Sequence, residues 1–155
     1  MKSFINVLTV VLVGSLLNPV VLADDVEDVR AEVLRFFKAI NSGDVDGFMQ
    51  HYVVGNTSFV PGGGLLSRVY SLEEQRKSWQ ASVESGRKLN LQLRHLEVDI
   101  YGGDTAVTKS YVVGTITSPE GTVQRVNWQR SAVLIKQGVQ WKEVHHHRSD
   151  WRLPQ

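Results

Sequence analysis

The chain has 155 residues, with 17 lysines and arginines against 16 aspartates and glutamates, and no cysteine. A net charge near zero excludes the strong positive field that nucleic-acid or membrane-surface binding draws on. The lack of cysteine excludes thiol catalysis and a disulfide framework, so an exported form has to rely on its core.

Met1-Lys2-Ser3 carries a positive charge, and Phe4 to Leu17 is mostly apolar. Such a run fits the core of a signal peptide and is short for a bilayer span. Val21-Leu22-Ala23 offers small residues where a signal peptidase reads. Residues 1–23 are therefore expected to be a signal peptide cleaved after Ala23, and the product to be periplasmic or secreted, off the membrane after cleavage. Asp24 to Gln155 is one domain, long enough to bury a core.

Val26, Val29, Val33, Phe36, Phe37 and Ile40 recur at helical spacing, which predicts an amphipathic helix over 24–40. Asp24, Asp25, Glu27 and Asp28 crowd its start, where the helix dipole favours negative charge. Asn41-Ser42-Gly43 ends it, and Asp44 is placed to cap a short second helix with Phe48, Met49 and Tyr52 on one side. Thr57-Ser58-Phe59-Val60 is a short strand, stopped by Pro61 and the three glycines 62–64, which are expected to form a mobile loop. No Gly-Lys-Ser/Thr follows, so they are not a phosphate-binding loop. Ser71-Leu72-Glu73-Glu74 is a capping box opening a third helix to about Ser85. Its inner stripe is Leu72, Gln75, Arg76, Trp79 and Val83.

After Gly86 the period changes to two. Leu89, Leu91 and Leu93 alternate with polar residues, then Leu96, Val98 and Ile100 do so in the opposite phase. The flip predicts a bulge near Arg94-His95. Thr105–Thr117, Thr122–Lys136 and Gln140–Arg148 read as further strands, with turns at 101–104, 118–121 and 137–139. The pattern gives an α+β fold, three N-terminal helices packed on one face of a curved antiparallel sheet.

The last strand carries Trp141-Lys142-Glu143-Val144-His145-His146-His147-Arg148-Ser149. Alternation puts His145 and His147 on one face, His146 and Arg148 on the other. A one-residue slip would exchange them.

Ala39-Ile40-Asn41-Ser42-Gly43-Asp44, Thr57-Ser58-Phe59-Val60-Pro61 and Trp141–Ser149, in that order, resemble the nuclear transport factor 2-like superfamily and, within it, the SnoaL-like group. The last strand is similar to that of the association domain of calcium/calmodulin-dependent protein kinases. The resemblance implies a cone-shaped, cystatin-like fold enclosing a pocket, with the opposite sheet face often making a dimer. It implies no single chemistry, because the superfamily includes isomerases, dehydratases, binding domains and assembly modules. By resemblance, Val60 occupies the place of the ketosteroid isomerase base and Phe36 that of its oxyanion donor. Neither exchanges a proton, so steroid-type isomerisation is rejected. Against the kinase association domain, Gln75 and Val112 replace a pocket histidine and arginine, while Arg148 and, approximately, Arg130 are kept.

The site expected from these residues is a mixed apolar and basic pocket formed by Tyr52, Trp79, Tyr111, Trp128, Arg130, His146 and Arg148. Its expected ligand is a small organic molecule, with an anionic end held by Arg148 and Arg130. No paired carboxylate is evident beside His146, so binding is favoured over turnover, with His146 as the candidate base of an enzyme alternative. A pure assembly module is the third reading. His145 and His147, joined by His51, His95 or Asp99, are the weaker metal alternative. No cofactor and no nucleic-acid partner is expected, and a homodimer is. Asp44 is assigned to a cap, and Asp99 and Asp104 to solvent. Trp151 packs on a partner subunit or anchors a disordered tail.

Overall fold

Val29, Val33, Phe36, Phe37 and Ile40 lie on one stripe of α1 (Pro19–Ser42), and all are buried. The computed structural model describes residues 19–61 and 65–151. Residues 1–18 of the expected signal peptide and Gly62–Gly64 of the expected mobile loop lie outside the described residues. In the full chain the helix starts at Pro19 rather than Asp24, so none of these acids lies in its first turn there; cleavage after Ala23 would leave Asp24 at the start. Asp25 is instead buried and pairs with Lys136. Among the described residues no helix is long and apolar enough to cross a membrane.

Gly43 takes φ of 71°, the left-handed turn that lets the chain leave α1. Asp44 then caps α2 (Val45–Met49), accepting from the Gly47 amide at 3.0 Å. Tyr52 does not follow on that helix: it opens β1 (Tyr52–Phe59), which starts five residues before the expected strand. Val60 lies just past its end. A two-residue strand, β2 (Ser67–Arg68), carries no legible period. Ser71 caps α3 (Leu72–Glu84) by accepting from the Glu74 amide at 3.3 Å. Leu72, Gln75, Trp79 and Val83 are half-buried as expected. Arg76 is not inward; it is exposed and pairs with Asp46 at 2.5 Å.

Four long strands complete the chain: β3 (Lys88–Tyr101), β4 (Thr105–Thr117), β5 (Val123–Gln137) and β6 (Gln140–Asp150). The bulge falls where the phase flips, with the β3–β4 register shifting between Arg94 and Glu97 and His95 at φ 52°. The sheet order is β2-β1-β6-β5-β4-β3. The expected all-antiparallel sheet is corrected at one place: β1 pairs with β6 in parallel, because the chain between them crosses the sheet. The β3 edge is closed by α1, whose C-terminal Asn41 side chain accepts from Leu91 N–H and donates to Leu91 O, each at 2.8 Å. Trp151 is no loose tail: its N–H donates to Asn127 O at 2.8 Å, and its ring lies 5.3 Å from that of Tyr111.

Candidate functional site

Between α1, α3 and the inner face of the sheet lies a cavity of about 640 Å3. Phe36, Phe37, Phe48, Trp79, Leu91 and Trp128 give it an apolar body. Tyr52, Arg130, His146 and Arg148 give it one polar wall. Phe48 and Trp79 stack at 4.3 Å, which ties the half-buried α3 to the core.

A bulge in β6 builds the polar wall. Val133 faces His145 and the next residue, Leu134, faces Glu143, so Val144 is the extra residue. Trp141 and Glu143 therefore point inward before the bulge, and His146 and Arg148 after it. His146 is buried and Arg148 half-buried. The register left open by the sequence is settled in favour of the 146/148 face.

Behind this wall is a chain of buried charged groups. Glu143, with no exposed surface, accepts from Arg130 and faces His51 Nε2 at 3.1 Å. Its other oxygen stands 2.8 Å from His146 Nδ1, in ion-pair contact but out of line for a good hydrogen bond. His51, equally buried, stacks on Phe36 at 4.0 Å and turns Nδ1 to Glu32 at 2.7 Å. Glu32 also pairs with the exposed Arg35. Both nitrogens of His51 thus face carboxylates. A neutral imidazole donates to only one of the two.

Burial pushes the Glu143 carboxyl up, but Arg130, His51 and His146 outweigh it and hold it well below the usual carboxylate range. Burial also pushes His51 and His146 down, against the upward pull of Glu143. For both Glu143 and His146 the folded state binds protons more weakly than the unfolded chain. Their contributions to stability are complete above the unfolded values and fall away on acidification. Stability is expected to drop below about pH 6.5 through His146 and further below about 4.5 through Glu143, the ordinary values of the two groups. Urea midpoints across this range check it; a protein equally stable at pH 4 and pH 7 contradicts it.

Six of the seven expected pocket residues line the cavity. Tyr111 does not: Val112 takes the inward position of β4, and Tyr111 is exposed on the outer face against Trp151 and His95. Arg130 lines the wall with its Nη2 engaged by Glu143, whereas the buried Nε of Arg148 has no hydrogen-bond partner. The metal alternative does not assemble. His145 Nδ1 is 2.7 Å from Thr57 Oγ1, and His145 and His147 flank the Phe59 ring at 6.0 and 5.9 Å on the outer side. His51 is enclosed behind the cavity wall, and Asp99 pairs with Lys109. Among the described residues no three His, Cys, Asp or Glu side chains gather into a metal-binding group. Phe36 and Val60 both face the cavity, and neither carries an exchangeable proton.

Glu32, His51 as a partner of carboxylates, and Glu143 were missed by sequence reasoning. The only available signal was Glu143 two residues from Trp141 on the strand that also holds His146.

The SnoaL-like domain family matches residues 29–152. No curated protein matches the chain. Among solved structures it is similar to a ketosteroid isomerase-like protein from Erwinia carotovora atroseptica, at 17% identity and TM-score 0.66, covering 84% of this chain and 98% of that one. It is similar to the association domain of C. elegans calcium/calmodulin-dependent protein kinase II, at 22% identity and TM-score 0.65, over 83% and 97%. An NTF2-like protein of unknown function in nutrient uptake from Rhodospirillum rubrum is similar at 20% identity and TM-score 0.67, over 81% and 99%. At these identities the likeness shows the fold alone. The family match spans most of the chain and agrees with the helices, the bent sheet and the cavity between them: the chain belongs to the SnoaL-like domain family.

Proposed function

We propose that this protein binds a small organic molecule with an apolar, flat body and an anionic end. One observation carries the reading: at the end of an aromatic-walled cavity, Arg148 lies 4.9 Å over the Trp128 ring with its buried Nε lacking a hydrogen-bond partner. A carboxylate or similar anion gives that guanidinium the partner it lacks, while the rings receive the apolar body. Arg130, with one nitrogen paired to Glu143, adds positive field on the same wall. Calorimetric titration with aromatic carboxylates and their matched neutral amides tests this. Acids are expected to bind and amides not, and Arg148→Ala to weaken the acids roughly tenfold to a hundredfold, the loss of one charged hydrogen bond. Equal affinity for acid and amide, or no change in Arg148→Ala, overturns the anion site.

A second reading has an observation of its own. Glu143 contacts Nδ1 of His146, the arrangement that leaves Nε2 as a base toward the cavity. It supports proton transfer on the bound molecule, to be recognised by a pH–rate profile lost in His146→Ala.

Export remains part of the proposal, on the charged and apolar residues 1–17; N-terminal sequencing of exported protein that still begins at Met1 contradicts it. So does a homodimer through the outer sheet face, where Phe59, Tyr111 and Trp151 stay partly exposed. Sedimentation of a monomer at micromolar concentration excludes that.

A further inference from the structure

We propose that His51 and Glu32, behind the cavity wall, are positioning residues for His146: acting through Glu143, they keep a carboxylate oxygen facing Nδ1, which favours the proton on Nδ1 and leaves Nε2 as the cavity's proton acceptor. The inference rests on the reading of the cavity as the functional site and extends it to groups that never touch a ligand.

The geometry runs in one line from surface to cavity. Arg35 is exposed and pairs with the buried Glu32. Glu32 meets His51 Nδ1, and His51 Nε2 meets Glu143, at 2.7 and 3.1 Å. The far oxygen of Glu143 meets His146 at 2.8 Å. The members come from four different parts of the chain. Glu32 comes from α1, His51 from the turn between α2 and β1, Arg130 from β5, and Glu143 and His146 from either side of the β6 bulge. The imidazole of His51 cannot turn, because Phe36 stacks on its face and Tyr52 meets it at 82°.

The division of labour on Glu143 is the important point. Arg130 and His51 share Oε2, which leaves Oε1 to His146 alone. An anionic oxygen held 2.8 Å from Nδ1 attracts the ring proton to that nitrogen, and that favours the Nδ1–H tautomer. Filling space alone does not account for the arrangement: apolar residues of the same volume pack without the desolvation cost of buried charge. The charged and titratable groups that face His146 are Glu143 and Arg148 of its own strand, Arg130 of β5 and Tyr52 of β1. His51 is faced in turn by Glu32 of α1, by Arg130 of β5 and by Glu143 and Lys142 of β6.

The test is made on ligand-free, nitrogen-15-labelled protein, using two-bond proton–nitrogen NMR correlations that report each ring nitrogen. His146 is expected as the Nδ1–H tautomer at neutral pH. In Glu32→Gln the carboxylate that anchors His51 Nδ1 is gone, so His51 holds Glu143 Oε2 less firmly and the field of Glu143 on His146 changes. The His146 midpoint is then expected to move by roughly one pH unit from its value in the unaltered protein. A purely structural role for Glu32 and His51 lowers stability in the variant and leaves that midpoint where it was, which overturns the proposal. So does an Nε2–H tautomer in the unaltered protein, a result that decides the matter even if the variant does not fold. With no ligand in the tube, failure here leaves the anion-binding reading standing, and failure of the calorimetric test leaves this one standing.

Discussion

Glu143→Ala is expected to cost about 3–5 kcal/mol of folding stability, the usual penalty for stripping one partner from a buried charged group. The carboxylate has no exposed surface, and it is the shared partner of Arg130, His51 and His146. Without it the Arg130 guanidinium, itself almost fully enclosed, keeps its charge and loses its acceptor. His51 keeps only Glu32. Domains of this size are stable by about 5–15 kcal/mol, so the loss is a large share of the whole. Glu143→Gln keeps the shape and an acceptor oxygen, and is expected to lose less. The exposed Glu97, paired with Lys109 at 3.1 Å, is the matched control, expected to cost under about 1 kcal/mol when cut to alanine. Urea unfolding followed by tryptophan fluorescence compares them. Equal losses for Glu143→Ala and Glu97→Ala contradict the account of the buried cluster.

The second large effect is on the backbone. Gly114→Ala is expected to cost on the order of 2–5 kcal/mol, summing a strained φ and an overpacked contact. Gly114 sits in β4 at φ 150°, and a Cβ placed there would lie 2.0 Å from the carbonyl oxygen of Asn90 on β3. That oxygen belongs to a strand paired on both sides of the clash, with Asn90 opposite Thr115 and Leu91 opposite Gly114, so the backbone has to give way. Gly121→Ala is the control, because φ there is 88° but nothing lies within 4 Å of its Cβ position. It carries the strain without the clash. Denaturation midpoints that coincide for the two variants contradict the close β3–β4 approach.

What the sequence made legible follows from how local each signal is. The stripe Val29 to Ile40, the Asp44 and Ser71 caps, and the phase flip at Arg94-His95 are set by neighbours a few residues away, and each is found where the pattern puts it. The parallel pairing of β1 with β6 joins residues more than eighty positions apart, and no local period reports it. The pocket was legible in its aromatic and basic members, since large rings and an arginine on predicted strands converge in a cone. Tyr111 was misplaced because β4 is read as inward from either phase, and only the burial of Val112 decides.

The buried carboxylates were hidden for a different reason. Glu32 sits in a helix rich in charge, where a glutamate ordinarily faces water. Glu143 follows a lysine and has the same parity as His145, so strict alternation sets it on the face opposite His146. The bulge at Val144 breaks that alternation and brings Glu143 and His146 to the same side. A paired carboxylate beside His146, absent from the sequence reading, is thus a product of one extra residue in a strand.

The most direct measurement is native mass spectrometry of the protein purified from the cells that make it, alongside its Arg148→Ala variant made in the same cells. One small organic acid per chain is expected on the unaltered protein and none on the variant. A bare polypeptide in both, or the same added mass on both, contradicts an anion held at Arg148.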